Sequence, residues 1–297
     1  MNRIVRMTLV VLGLVALAAA QGTSSGSGAQ PAGATTHKAP PAAKTPEEHA
    51  AYQAILTNPD LAAAETAALE FETKYPQSEV RNLVYQNLMY RYQQTNNAGK
   101  TVEMGRKALQ FDPDNPMALV TVGSVISERT RETDLDRDQR LGEATKDAQQ
   151  ALDHMDSWLA TAPGITDAQA QGVKPLLVSS AHAIMGMVEL TRKNPAGAEK
   201  HYRISLDANP ANPDPVTLLR LALALDQQTK YAEALTFANR AVELSAPAGG
   251  VLAEWAQQEQ GRLAKLTGQT PAPAPQQPPA PPKAATPAPT TATPPKS

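Results

Sequence analysis

The chain is cut at five places by the same kind of stop: Tyr75-Pro76, Asp112-Pro113-Asp114-Asn115-Pro116, Ala162-Pro163-Gly164, Asn209-Pro210 and Ala246-Pro247. Proline has no amide hydrogen and its ring clashes with the preceding turn, so each stop ends a helix. Between the stops the apolar residues recur at a helical period. Leu83, Val84, Leu88 and Tyr92 share one face, and so do Leu218, Leu221, Ala222 and Leu225. Strand patterning is almost missing, no Asn-Gly or Asp-Gly hairpin turn occurs, and good helix formers (Ala, Leu, Gln, Glu) dominate. The pattern predicts eleven helices, near 46–57, 60–75, 78–94, 98–111, 115–131, 139–161, 167–193, 195–208, 213–228, 231–244 and 249–266, with a break or kink at Pro175. Asn115-Pro116 and Asn212-Pro213 read as N-cap and first helical residue.

Helix pairs with a unit near 34 residues are the mark of a solenoid. In the unit Asn82–Asn115, Tyr85, Leu88 and Tyr92 stand at the fourth, seventh and eleventh places, Ala108 at the twenty-seventh and Pro113 at the thirty-second. A second unit starts at Pro215 and carries Tyr231-Ala232-Glu233-Ala234-Leu235 into its second helix. Others start at Ser179 (Gly186, Ala198, Pro210) and at Pro116 (Gly123, Ala144, Ala148, Ala151), and a degenerate pair at 45–76 keeps Ala64 and Pro76. These residues resemble the tetratricopeptide repeat. The resemblance implies an all-α, right-handed superhelix of antiparallel helix pairs, about five repeats over residues 45–267, closed by a capping helix at 249–266. Leu252, Trp255, Leu263 and Leu266 should form the inner face of that helix, and Glu254, Gln257, Gln258 and Arg262 its outer face. Small residues at the eighth and twentieth places (Gly123, Gly186, Ala222, Ala198, Ala234) should mark the closest approach of paired helices, where overpacking costs about 1–3 kcal/mol. Extra residues at 131–140 and 164–178 should make the superhelix irregular.

The ends cannot join this core. Arg3 and Arg6 precede an uncharged apolar run, Met7–Ala20, that ends in Ala-Ala-Ala. That is the form of a secretory signal peptide cleaved after Ala20, too short to span a bilayer of roughly 30 Å. Export to a periplasm or beyond is the expectation, with no membrane insertion after cleavage. Residues 21–44 read as a disordered linker of small and polar residues. Residues 268–297 hold 11 of the 26 prolines and read as a disordered, extended tail. There is no cysteine, so disulfides, thiolate metal sites and thiol nucleophiles are excluded. The basic residues at the ends leave the 45–267 body acidic, with 21 Lys and Arg against 29 Asp and Glu. Such a surface lacks the basic patch that nucleic acid requires.

Catalytic strings are missing. The five histidines (His37, His49, His154, His182, His201) have no metal-ligand spacing, and no G-x-S-x-G, G-x-G-x-x-G or P-loop occurs. Asp153, His154 and Asp156 read as a solvated helix face. Asp134, Asp136 and Asp138 alternate like the opening of a calcium loop. The sixth place is Gln139 and the twelfth Thr145, and Arg131, Arg137 and Arg140 intervene, so they read as a self-compensating charge run. No metal, no cofactor and no enzymatic activity are expected.

What remains is the concave face. In the family that the chain resembles, the second, fifth, ninth and twelfth places of each first helix line the groove. By position these are Leu83, Gln86, Tyr90 and Gln93; Met117, Val120, Ser124 and Ser127; Ala183 and Met187; and Leu219, Leu223 and Asp226. The resemblance implies an apolar and amide-lined peptide groove without the Lys, Arg and Asn set that grips a C-terminal carboxylate. Helix-period apolar stripes are also what repeat packing needs, so the same residues have a core reading. The leading expectation is a scaffold that binds a protein or peptide partner in the cell envelope. The alternatives are a structural spacer using the Pro-rich tail and an envelope enzyme with an unfamiliar site.

Overall fold

The computed structural model describes residues 41–162 and 165–269, and every regular element among them is an α-helix. The helices are Pro46–Thr57 (α1), Leu61–Lys74 (α2), Arg81–Gln94 (α3), Ala98–Phe111 (α4), Pro116–Arg129 (α5), Arg137–Thr161 (α6), Asp167–Thr191 (α7), Pro195–Ala208 (α8), Pro215–Asp226 (α9), Tyr231–Ser245 (α10) and Gly250–Thr267 (α11). The expected signal peptide, most of the linker and the tail beyond Gln269 lie outside the described residues.

Side-chain caps start most of these helices. Thr45, Asp60, Asn97, Asn115, Asn194 and Asp214 each accept from amides of the first turn, and Pro46, Pro116, Pro195 and Pro215 stand at the first helical position. The start of α9 therefore differs from the sequence expectation. Asp214, not Asn212, is the cap, because its carboxylate takes the amides of Val216 (3.3 Å) and Thr217 (2.9 Å) as well as the Thr217 hydroxyl (2.7 Å). Pro175 does not break α7. The capping box of Thr166 and Gln169 fixes the first turn upstream. The carbonyl that Pro175 leaves without a donor belongs to Gln171, an exposed residue open to water.

Each helix packs on the next in sequence. The tightest pairs are α3 with α4, α5 with α6, α7 with α8 and α9 with α10, and the pairs then stack. This is a tetratricopeptide-like helical solenoid. The small residues sit where the repeat requires them: Ala198, Ala222 and Ala234 are fully buried, and a Cβ on Gly186 would meet the Tyr202 ring at 2.5 Å. Gly105 has a similar role between repeats, where a Cβ would strike Val122 of α5. One continuous core runs from Ile55 to Val188, and two smaller clusters continue it into α8–α11.

The residues before the 179 repeat extend α7 at its N-terminus, giving a helix long and apolar enough by composition to cross a membrane. Leu177, Ala181, Ile184 and Val188 of this helix are buried in the stack. Arg220 of α9 also reaches past α7 to pair with Glu128 of α5 at 3.3 Å.

The capping helix is rotated from its expected setting. Ala253, Ala256, Gln260, Leu263 and Ala264 form its buried face, whereas Trp255 and Leu266 remain about half exposed. The alanines allow α11 close against α10 on that side. Arg262, expected on the outer face, pairs with Asp226 of α9 and with Glu259.

Candidate peptide groove

The thirteen groove positions divide by burial. All four on α5 are buried: Met117, Val120, Ser124 and Ser127. So are Ala183 of α7 and Leu219 of α9. These six pack within the stack and offer no open surface in this structure. The cause is the close approach of α5, α6 and α7 around a first helix with no large polar side chain before Glu128. Leu83, Gln86, Tyr90, Gln93, Met187, Leu223 and Asp226 keep intermediate exposure. Of these, Leu223 packs against the Leu218–Ala256 cluster beside Leu252, and Asp226 is held by Arg262. The α9 end of the face is thereby covered by α11.

On α3 all four positions keep intermediate exposure. Leu83, Gln86, Tyr90 and Gln93 follow one another at three- and four-residue spacing, so they form one strip along the helix. Leu83 and Tyr90 rest against the main core while keeping part of their surface. The Tyr90 hydroxyl accepts from Gln86 Nε2 at 3.4 Å, a long hydrogen bond that a better donor could replace. Burial raises the Tyr90 pKa to about 12, so the phenol stays protonated across physiological pH. Asn87 lies on the same side of α3 as Leu83 and Tyr90. Its Oδ1 is enclosed and receives no hydrogen bond from any described residue. The positional transfer from the repeat did not select Asn87, because it stands at the sixth place of the unit.

The acidic and imidazole groups are mostly structural. Asp134 accepts from the Arg131 amide (2.8 Å) and from Arg140 (3.3 Å), and Arg137 pairs with Asp138 (2.9 Å). This is the compensated charge run read from the sequence. His154 lies 3.7 Å from Asp114, and Asp156 pairs with Lys174 at 2.6 Å. Asp147 of α6 stands out: burial and the neighbouring Glu143 push its carboxyl up to about 7, against the opposing pull of Arg106 and Lys146. It sits against Gly123, at the close approach of α5 and α6. Glu199 goes the other way. Burial raises it, but Lys230, Gln228 and Arg203 outweigh that and hold it at about 2. Among the described residues no three His, Asp or Glu side chains gather as a metal site. His182 and His201 do meet, at 3.1 Å, a pairing that sequence spacing did not reveal because they lie on different helices.

No protein-family model matches the sequence, and no curated protein matches it. Among solved structures the chain is similar to PilF of Pseudomonas aeruginosa, a protein that contains tetratricopeptide repeats. The TM-score is 0.50 at 21% identity, over 75% of this chain and 86% of PilF. At that identity the likeness is one of fold.

Proposed function

We propose that this chain is a non-catalytic scaffold that binds a peptide segment of another protein through the α3 strip. The observation that carries the reading is the chemistry of that strip. Leu83 and Tyr90 present partly exposed apolar surface, and Gln86 and Gln93 supply amides suited to a peptide backbone. Tyrosine adds apolar area and a polar tip at small entropic cost, and so suits an anchor. The ligand is a segment with apolar side chains and free backbone donors. A bound C-terminal carboxylate is a poor match, because the strip has no cation.

A photo-reactive residue at Gln93 tests this in native cells. The expected product is an adduct with one polypeptide, absent when the probe replaces the exposed Thr236 on outer helix α10. The same adduct from both positions would count against a groove.

The partner belongs to the cell envelope on this proposal, which rests on Arg3, Arg6 and the Met7–Ala20 run. N-terminal sequencing of the protein from its native source should begin at Gln21. A chain beginning at Met1 in the membrane fraction would overturn the export step.

A further inference from the structure

His182, in the second half of α7, and His201, on α8, approach head on. Their Nδ1 atoms are 3.1 Å apart, the ring centroids 5.4 Å apart, and the planes differ by 26°. The centroid separation exceeds the nitrogen separation by about two ring radii. Each nitrogen therefore lies on the line between the rings and aims its in-plane orbital at the other. A metal ion, at about 2.0–2.1 Å from each nitrogen, needs two lone pairs that converge at an angle, and head-on nitrogens this close leave it no room. One shared proton fits, with one ring donating Nδ1–H and the other accepting.

We propose that this imidazole pair is a proton-operated clasp on the α7–α8 hairpin, closed while one proton is shared and forced open when both rings are protonated. The first added proton, on Nε2 of the donating ring, leaves the Nδ1–H···Nδ1 bond in place; the second, on the accepting nitrogen, removes the only lone pair in the contact and sets two cations face to face. The surroundings offer little relief. Lys200 on α8 acts on both rings with like charge. Glu189 on α7 acts on His201 alone, and its carboxylate is already engaged by Arg192 and Asn194. From the helices packed around the pair, Arg220 of α9 and Glu128 of α5 neutralise each other at 3.3 Å. Burial first, and then these like charges, hold both histidines below the usual imidazole value. The linkage sign follows. With folded pKa values below the unfolded one, the unfolded chain binds more protons, so the clasp contributes fully above about pH 6.5 and is lost as pH falls through the folded values. One helical turn from His182, the Tyr202 ring fills the space over Gly186. Opening the clasp thus loosens the edge of one repeat. The proposal is independent of whether α3 binds a peptide.

The test uses the full chain. Nitrogen chemical shifts of the imidazoles, followed from pH 8 to 4.5, read the pair directly. The expected result is coupled titration of His182 and His201 below the ordinary imidazole value of about 6.5. Independent titration at that ordinary value overturns the proposal, whatever any variant does. Melting is then compared for the natural chain and the double variant His182→Gln, His201→Gln. Between pH 7.5 and 5 the natural chain should lose about 2–4 °C more than the variant. Asp147, whose raised pKa gives a pH dependence of opposite sign, is common to both and cancels. Equal acid slopes in two folded proteins would also overturn the clasp.

Discussion

At Gly186 the repeat tolerates no side chain, since a Cβ would stand 2.5 Å from the fully buried and rigid Tyr202 ring. Gly186→Ala should therefore destabilise the protein by about 1–3 kcal/mol through overpacking. Gly142, inside α6, has nothing within 4 Å of the same built atom. Gly142→Ala should raise stability by about 0.5–1 kcal/mol, because alanine loses less backbone entropy in a helix. Chemical denaturation of both variants checks the pair, and shifts of the same sign would contradict the helix pairing. The sequence identified Gly186 through its eighth place in a repeat. It did not identify Tyr202 or His201 as the residues across from α7, because the relative rotation of two helices is set by packing that period alone does not encode. The capping helix shows the same limit. Its position was legible, yet Trp255 and Leu266 point away from the buried face that the apolar period suggested, since Ala253, Ala256 and Ala264 allow a closer approach.

Among the elements, the turn between α4 and α5 is held by the next helix along. Gln150, His154 and Trp158 follow at four-residue spacing on α6. Gln150 donates to the Pro113 carbonyl and to Asp114 (both 3.0 Å), His154 lies beside Asp114, and the Trp158 indole N–H donates to Asp112 (3.0 and 3.1 Å to the two oxygens). The sequence marked the Asp112–Pro116 string as a helix stop. The structure adds that it is the point where one repeat is pinned to the next. Trp158→Phe keeps the apolar contact and removes the donor to a carboxylate, so a loss of about 1 kcal/mol is expected by denaturant titration. An unchanged midpoint would mean that the turn holds itself. The length of α6 has its reason here, because its last two turns carry Trp158.

On the scale of the whole molecule, the groove positions are buried on α5 and keep intermediate exposure on α3. The eleven helix starts were legible to within three residues because proline stops and caps are local signals. The groove was legible only in part. Met117, Val120, Ser124, Ser127, Ala183 and Leu219 occupy groove positions of the repeat, yet the approach of α7 to α5 and of α11 to α9 buries or covers that stretch. On the proposed reading, the α3 strip with Tyr90 is what a peptide would meet. The most direct measurement compares the natural chain with Tyr90→Ala for two quantities, capture of the partner crosslinked at Gln93 and melting temperature. The account predicts that capture falls about tenfold or more, the loss of roughly 1.4 kcal/mol at an anchor, while melting moves by no more than about 2 °C. Unchanged capture, or capture lost together with a large drop in melting temperature, would show Tyr90 to be a packing residue and the α3 groove to be wrong.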